Sequence, residues 1–495
     1  MEQAAGGGGA AAAVTSMEKR PPEVGVLRED AESVRDGEVH RTAEAPKCPN
    51  LRGILKVAEN RRVLISVIPT LTLAIMGGAV LPVAWAFSIT GITAGFLIMV
   101  VVASANAYTC DLLLRQAFAT GCMDFETLGL AVGGRAWRLT TEISIVVLLL
   151  GTITGSIAQV GEAGAIGLTS IWPNTPGALI NGSGRLLMVL ATAVVIWPLC
   201  LVSRLRQLEY AGMAGTVIVL WLVGVTVVEA SINDLPAVRD GEFAAVGLSS
   251  IGLVSQAVSV FGFAFYIQPV IMPLLEEMPA GQLGVKLTSY STRVVVLVNS
   301  FVIYGLTGFF GAAMYGTSTE SNILVNQWLG GGVAQGILNL SMTFYLAMAL
   351  PMLEFPTRHT IDGWIPERWA TNKRLRHLVV MTAIVVFCLV IAVAWPASSG
   401  YILVVTGATG VCMVSYIIPV VNHLLLYYSR SKIQKLRKME NERDPESKQF
   451  QLIVYRKERK PGTIWYIVEV LREIFLPVLV LAVGIFCSVA SLTTL

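Results

Sequence analysis

GGAVLPVAWAF, residues Gly77 to Phe87, sits in the middle of an apolar span covering 63 to 88. A glycine pair followed by Pro82 interrupts a helix where a membrane helix would otherwise stay intact, because proline has no N–H to donate and glycine disfavours helix. A second span, 250 to 275, carries the same punctuation in GFAFYIQPVIMPLLEEMP, Gly262 to Pro279, with Gly262 ahead of Pro269. Lipid offers no hydrogen-bond partner, so backbone released by a broken helix is tolerated only where it lines a cavity or meets a ligand. Paired interruptions in corresponding places of the two halves of a membrane chain therefore point to a ligand site near mid-membrane.

Working outward, 495 residues with 54% hydrophobic and only 14% charged residues are too apolar for a soluble protein of this size. The mean hydropathy of +0.66 says the same. Runs long enough to cross a bilayer, about 18 residues or more, fall at 63–88, 91–114, 140–166, 186–203, 211–231, 250–275, 292–315, 332–355, 378–396, 401–428 and 472–492. This predicts an all-α integral membrane protein of eleven transmembrane helices. Lys and Arg cluster on alternate loops, among them Arg61, Arg62, Arg135, Arg204, Arg206, Lys286, Arg293, Lys373 and Arg374, and the run from Arg430 to Lys460 is dense in them. Only Arg185 and Arg239 fall in the opposite set, so the N-terminus is predicted cytoplasmic and the C-terminus extracytoplasmic. Trp85, Trp172, Trp328 and Trp395 stand near span ends, where an amphipathic ring suits the headgroup zone.

Residues 1–62 read as a disordered cytoplasmic tail, Gly/Ala-rich and then charged. No charged start, short apolar core and small-residue cleavage site occurs there, so a removable leader is not expected. Residues 63–428 form a ten-helix core, 429–471 a basic cytoplasmic loop and 472–495 an eleventh helix. Five of seven cysteines lie in spans and none is placed for an extracytoplasmic disulfide. Asn181-Gly182-Ser183 is a glycosylation sequon in the loop between the third and fourth spans, on the side that the charge bias makes external.

The start of a half-helix presents unsatisfied amides and a positive dipole, so the amides of Gly77, Gly78 and Ala79 suit a carboxylate. Carbonyls around Phe261, Gly262 and Ala264 suit an ammonium group, and the two together fit a zwitterion. Phe263, Phe265 and Tyr266 are positioned to wall a side-chain pocket; the bland alternative for each aromatic is packing or lipid contact, and for each glycine close helix packing.

GGAVLPVAWAF with Gly91 and Gly95, YTCDLLLRQAFATG from Tyr108, FAFYIQPVIMPLLEEMP, PMLEFPTR from Pro351 and VTGATGVCMVSYIIPVV from Val405 resemble, in order and spacing, the amino acid/auxin permease family of the amino acid-polyamine-organocation superfamily. The resemblance implies a five-plus-five inverted repeat (63–231 and 250–428) with broken helices one and six and an extra C-terminal helix. It also implies amino acid transport in a plasma, vacuolar or lysosomal membrane. Carried over, the unwound segments fall on Ile75, Met76, Gly77, Gly78 and Ala79 and on Phe261, Gly262, Phe263, Ala264 and Phe265, the substrate-binding candidates. The family's sodium-coupled members usually place an asparagine in the first half of helix one and a hydroxyl late in helix eight. Here the aligned positions are Thr70 or Leu73 and Ala347 or Ala349, so hard oxygen ligands are missing and proton coupling or facilitated exchange is expected in place of sodium coupling.

A proton needs a titrating group, and ionisable residues within spans are few. Asp111 and Arg115, four apart, suggest an ion pair for structure or gating. Gln159 and Glu162 lie near the outer mouth of a helix expected to border the substrate, and His423 stands in the tenth span; with Asp111 these are the gating or coupling candidates. Glu142, Glu276, Glu277 and Glu354 sit at span ends, where carboxylates usually reach water. Four scattered histidines give no metal-ligand spacing, and no nucleophile elbow or phosphate loop appears, so neither an enzyme, a cofactor nor a nucleic-acid partner is expected. The reading is a secondary carrier of small or neutral amino acids working by alternating access. The alternatives are an amino acid sensor signalling through its tail and, less suited to apolar helices with few lining polar groups, a channel. The oligomeric state is not readable from the sequence.

Overall fold

A computed structural model describes residues 58–122, 124–201, 209–247, 250–279, 282–365, 373–394, 399–428, 468 and 470–495. The chain divides into Met1–Leu55 and Lys56–Leu495, and every described residue belongs to the second unit. Of the tail and basic loop read from the sequence, 1–57 and most of 429–471 lie outside the described residues, and the tail's last five positions, 58–62, expected to be disordered, are helical and open the first helix.

The described residues are helical throughout, with no strand among them. The first span becomes α1 (Ala58–Met76), a 3-10 turn at Gly77–Val80, and α2 (Val83–Thr90). Then follow α3 (Ile92–Thr120), α4 (Phe125–Ile171), α5 (Gly177–Ala191, continued as a π turn and Trp197–Cys200) and α6 (Glu209–Ile232). The sixth span is α7 (Ile251–Phe265) and α8 (Gln268–Glu277). Next come α9 (Gln282–Val298), running through a π segment at Asn299–Gly305 into α10 (Leu306–Tyr315), α11 (Gly332–Trp364) and α12 (Lys373–Ala394). The chain closes with α13 (Ser399–Thr406), an eleven-residue π segment at Gly407–Ile417, α14 (Ile418–Tyr428) and, after a π turn, α15 (Leu476–Thr493).

Among the described residues nine helices are long and apolar enough to cross a membrane. The first and fourth expected spans are represented only by the shorter apolar pieces Gly77–Thr90 and Gly184–Cys200. Pro82 interrupts the first of these spans, and within the second Gly184 stands at φ +73°, its position against the Gly161 carbonyl too tight for a Cβ. Asn181 consequently stands on helical backbone in α5, where a loop was expected; its side chain lies outside the described residues. Trp328, expected at the headgroups, is fully buried with its indole N–H on the Ile323 carbonyl at 2.7 Å.

α4 is the central post, packed against α11, α5, α12 and α13. Gly151, Gly155, Gly161, Gly164 and Gly167 take the side chains of Thr406, Leu403, Met188, Leu187 and Leu340 so closely that a Cβ would lie 2.4–2.9 Å from them. Lipid supplies no hydrophobic drive between helices, so such close small-residue packing and interhelical hydrogen bonds hold the bundle together.

Candidate functional site

Both interruptions follow from proline. Pro82 has no N–H for the Gly78 carbonyl, and Gly77 turns to φ +26°, so the α-helix stops at Met76. Ile75 and Met76 therefore stay in the last turn of α1, and the unwinding expected from Ile75 begins at Gly77. The sixth span breaks later than expected. Phe261, Gly262, Phe263, Ala264 and Phe265 are all helical, and the gap is Tyr266 and Ile267. The reason is local: Pro269 cannot donate to the Phe265 carbonyl four residues back, and it takes one of the first positions of α8, where a missing N–H costs nothing. At Gly262 a Cβ would meet the Tyr416 hydroxyl at 3.5 Å, an ordinary van der Waals distance.

The groups freed at the first break are met by side chains. Gln159 of α4 donates through Nε2 to the Gly78 carbonyl at 2.9 Å, and Tyr304 donates to the Ile75 carbonyl at 3.2 Å. Gln159 lies flat on Gly78, with Oε1 2.0 Å from an added Cβ and Ser156 Oγ at 3.4 Å. Gly77 faces the other way, with nothing within 4 Å of its Cβ position. The 3-10 turn thus leans on α4, α7 and α11 on its packed side and keeps open space beside Gly77.

Aromatic rings join the two breaks. Phe265 meets Tyr304 edge to face at 5.1 Å, Phe261 meets Phe87 of α2 at 5.6 Å, and Phe263 lies 5.3 Å from Tyr266. Tyr266 in the second break reaches Thr152 of α4 at 3.4 Å. Two buried polar atoms near these turns, Gln159 Oε1 and the Tyr345 hydroxyl of α11, have no hydrogen-bond partner among the described residues. Buried polar groups are costly to leave unmet, so unmatched atoms beside an open turn are where a polar ligand gains most.

Beyond Tyr266, the side chain of Gln268 is wholly buried and fully engaged. Its Oε1 accepts from the Ile267 N–H at 2.9 Å and from Ser415 at 2.7 Å, while Nε2 donates to Asn106 at 3.2 Å and Thr109 at 3.1 Å. Asn106 in turn donates to Tyr416 at 3.0 Å. This knot ties the second break to α3 and to the π segment after α13. Sequence reading missed Gln268, although it stands directly before Pro269, and missed Tyr304 and Tyr345, for which no local signal exists.

The gating candidates are dispersed. Only Gln159 belongs to the break. Glu162, one turn on, accepts from the Ser399 N–H at 2.7 Å, the Ser399 hydroxyl at 2.6 Å and Asn322 at 3.0 Å. Asp111 pairs with Arg293 of α9 and accepts from Ser289 at 2.5 Å, so its partner lies across α3 and α9 and the expected pair with Arg115 is replaced. His423 Nε2 sits 3.0 Å from the Glu473 carbonyl and 3.3 Å from its carboxylate, fastening α14 to the last helix. No cluster of three or more His, Cys, Asp or Glu able to hold a metal ion occurs among the described residues.

Comparison with known proteins adds the family. A family model described as transmembrane amino acid transporter protein matches residues 63–443. The chain is 22% identical over 390 residues to sodium-coupled neutral amino acid symporter 2 of Danio rerio, covering 73% of this chain and 76% of that one. It is 24% identical over 376 residues to amino acid transporter AVT6C of Arabidopsis thaliana, covering 70% and 82%. It is 20% identical over 301 residues to human solute carrier family 38 member 10, of which it spans 26%.

Proposed function

The chain belongs to the transmembrane amino acid transporter family, and from that premise we propose that it is a secondary carrier of small neutral amino acids, driven by protons and working by alternating access about its two helix breaks. The observation that carries the reading is the pair of interruptions, Gly77–Leu81 and Tyr266–Ile267, joined through Phe265 and Tyr304 beside an open turn. In this reading eleven helices span the bilayer, ten of them as a five-plus-five inverted repeat, with the N-terminus cytoplasmic and the C-terminus outside.

The amides of Gly77, Gly78 and Ala79 receive the substrate carboxylate at the positive end of α2. The ammonium group goes to the carbonyl of Phe265, which Pro269 cannot satisfy, and to Gln159 Oε1. Tyr345 and the rings of Phe263 and Phe265 face the substrate side chain, and the close packing of these buried rings favours small side chains. Proton coupling is supported by the aligned positions, Thr70 or Leu73 and Ala347 or Ala349, which offer at most one hydroxyl where a sodium ion needs several oxygen ligands. The zebrafish relative is named as sodium-coupled, which makes the ion the sharpest point to test. The membrane is the plasma membrane or that of a vacuole or lysosome.

The experiment is uptake by the purified chain in proteoliposomes across an amino acid panel, with pH and sodium gradients imposed separately. Saturable counterflow of a small neutral amino acid, accumulated down a proton gradient and indifferent to sodium, is expected. Accumulation that follows the sodium gradient alone ends proton coupling, and binding without flux ends the carrier reading in favour of a sensor.

A further inference from the structure

Away from the breaks, the Arg/Lys-rich end of the bundle holds a second cluster of ionisable groups. Glu354 of α11 is buried, only 3% exposed. Its Oε1 has no hydrogen-bond partner among the described residues, and its Oε2 lies 3.8 Å from Arg358 Nη1, too far for a hydrogen bond. The same Nη1 is 3.1 Å from Nε2 of His377 on α12. A guanidinium only donates, so that ring nitrogen is the acceptor and carries no proton. Arg358, itself buried and stacked 5.2 Å over Phe355, is thus shared between two titratable groups and hydrogen-bonds one of them.

The remaining charges around the cluster are otherwise occupied. Asp362 of α11 pairs with Arg376 of α12 at 3.4 Å. From α4, Glu142 accepts from the Trp364 indole and Glu126 from Thr360, both further along α11, and Arg138 pairs with Glu142. From the short helix after α5, the Cys200 thiol is within electrostatic range of Glu354 and Arg358.

We infer that Glu354 is the group that carries the coupling proton, and that its protonation decides whether Arg358 bridges α11 to α12 through His377 or folds back onto its own helix. A carboxylate short of donors in a buried site is costly to keep charged. With a proton on Glu354, Arg358 is released to His377 Nε2 and the two helices are tied, the arrangement seen here. When the proton leaves to the cytoplasmic side, the carboxylate attracts Arg358 and the tie to His377 breaks, so the tied pair belongs to the substrate-loaded carrier that exchanges and the untied pair to its empty return. One proton taken up from the external side and released to the cytoplasm per cycle, together with one neutral amino acid, amounts to the net inward movement of a single positive charge. This is a local electrostatic change biasing a two-state contact. The inference rests on the proton-coupled reading above.

The test is the full chain in proteoliposomes, as wild type, Glu354→Gln and Glu354→Asp. The wild type is expected to concentrate its substrate severalfold down an imposed pH gradient. Glu354→Gln is expected to keep substrate exchange at zero gradient within about twofold while losing gradient-driven accumulation altogether, and Glu354→Asp to regain part of the accumulation. Accumulation by Glu354→Gln at the wild-type level overturns the inference. Loss of exchange together with accumulation in both variants also overturns it, marking the carboxylate as structural. A wild type that ignores the pH gradient overturns the proton-coupled reading itself, which is distinguishable because it shows in the unaltered protein.

Discussion

Gly77 and Gly78 are neighbours with opposite requirements. Gly77 needs glycine for its φ of +26° and has room for a side chain, whereas Gly78 has no room because Gln159 lies on it. Gly77→Ala is therefore expected to cost about 1–2 kcal/mol of backbone strain and leave a slowed but working carrier, read as a lowered melting temperature with uptake retained. Gly78→Val pushes Gln159 off and breaks its bond to the Gly78 carbonyl. Uptake should fall on the order of ten- to hundredfold, the scale of displacing a site by about an ångström, while membrane insertion is unchanged. Since Gly78 and Gln159 share one contact, Gly78→Ala combined with Gln159→Ala should cost less than the sum of the single changes, with a coupling of about 0.5–3 kcal/mol; additive losses in a double-mutant cycle would separate the two residues.

At the scale of elements, Gln268 is the tie between the second break and its neighbours. Gln268→Leu strands the Ile267 N–H, the acceptor of Asn106 and the hydroxyl of Ser415, each at about 1–3 kcal/mol if left buried and unmet. Thermal unfolding in detergent should shift down clearly, while the lipid-facing change Val483→Ala should leave it in place. Glu162 ties α4 to α13 with donors on both oxygens, so Glu162→Gln aims an amide NH2 at either the Ser399 N–H or the Asn322 amide. Loss of stability is the expected readout, and an unshifted melting curve would remove Glu162 from the framework. These elements also mark how far the sequence carries. The first break was legible at Gly77, Gly78 and Pro82 because proline acts on the residue four back, a local relation. The second, expected to begin at Phe261, opens five residues later at Tyr266, because Pro269 and not Gly262 sets the gap. Asp111 was paired with Arg115 on helix spacing, but its partner is 182 positions away on α9. Gln268, Tyr304 and Tyr345 were invisible as site residues because their meaning lies in contacts across the bundle.

Across the whole molecule, the last helix is mostly exposed, yet it touches the rest of the bundle at three levels. Tyr108 of α3 donates to the Arg472 carbonyl at 3.2 Å and His423 meets Glu473; at the far end Gln256 of α7 reaches Thr494, which fills the notch at Gly252. Between them Gly484 lies against Tyr416, 2.9 Å from the place of a Cβ. Tyr416 accepts from Asn106, Asn106 accepts from Gln268, and Gln268 holds the Ile267 amide inside the second break. A packing contact and then a contiguous chain of hydrogen bonds thus lead from the last helix to the second break. Gly484→Val should wedge Tyr416 away, loosen Asn106 and raise the KM for substrate severalfold, a coupling of about 0.5–2 kcal/mol, although no atom of Gly484 approaches the breaks through its own contacts. Asn106→Ala cuts the chain one link earlier, so in that background Gly484→Val should no longer change KM. If Gly484→Val raises KM equally with and without Asn106, the last helix acts on the carrier by some route other than Tyr416.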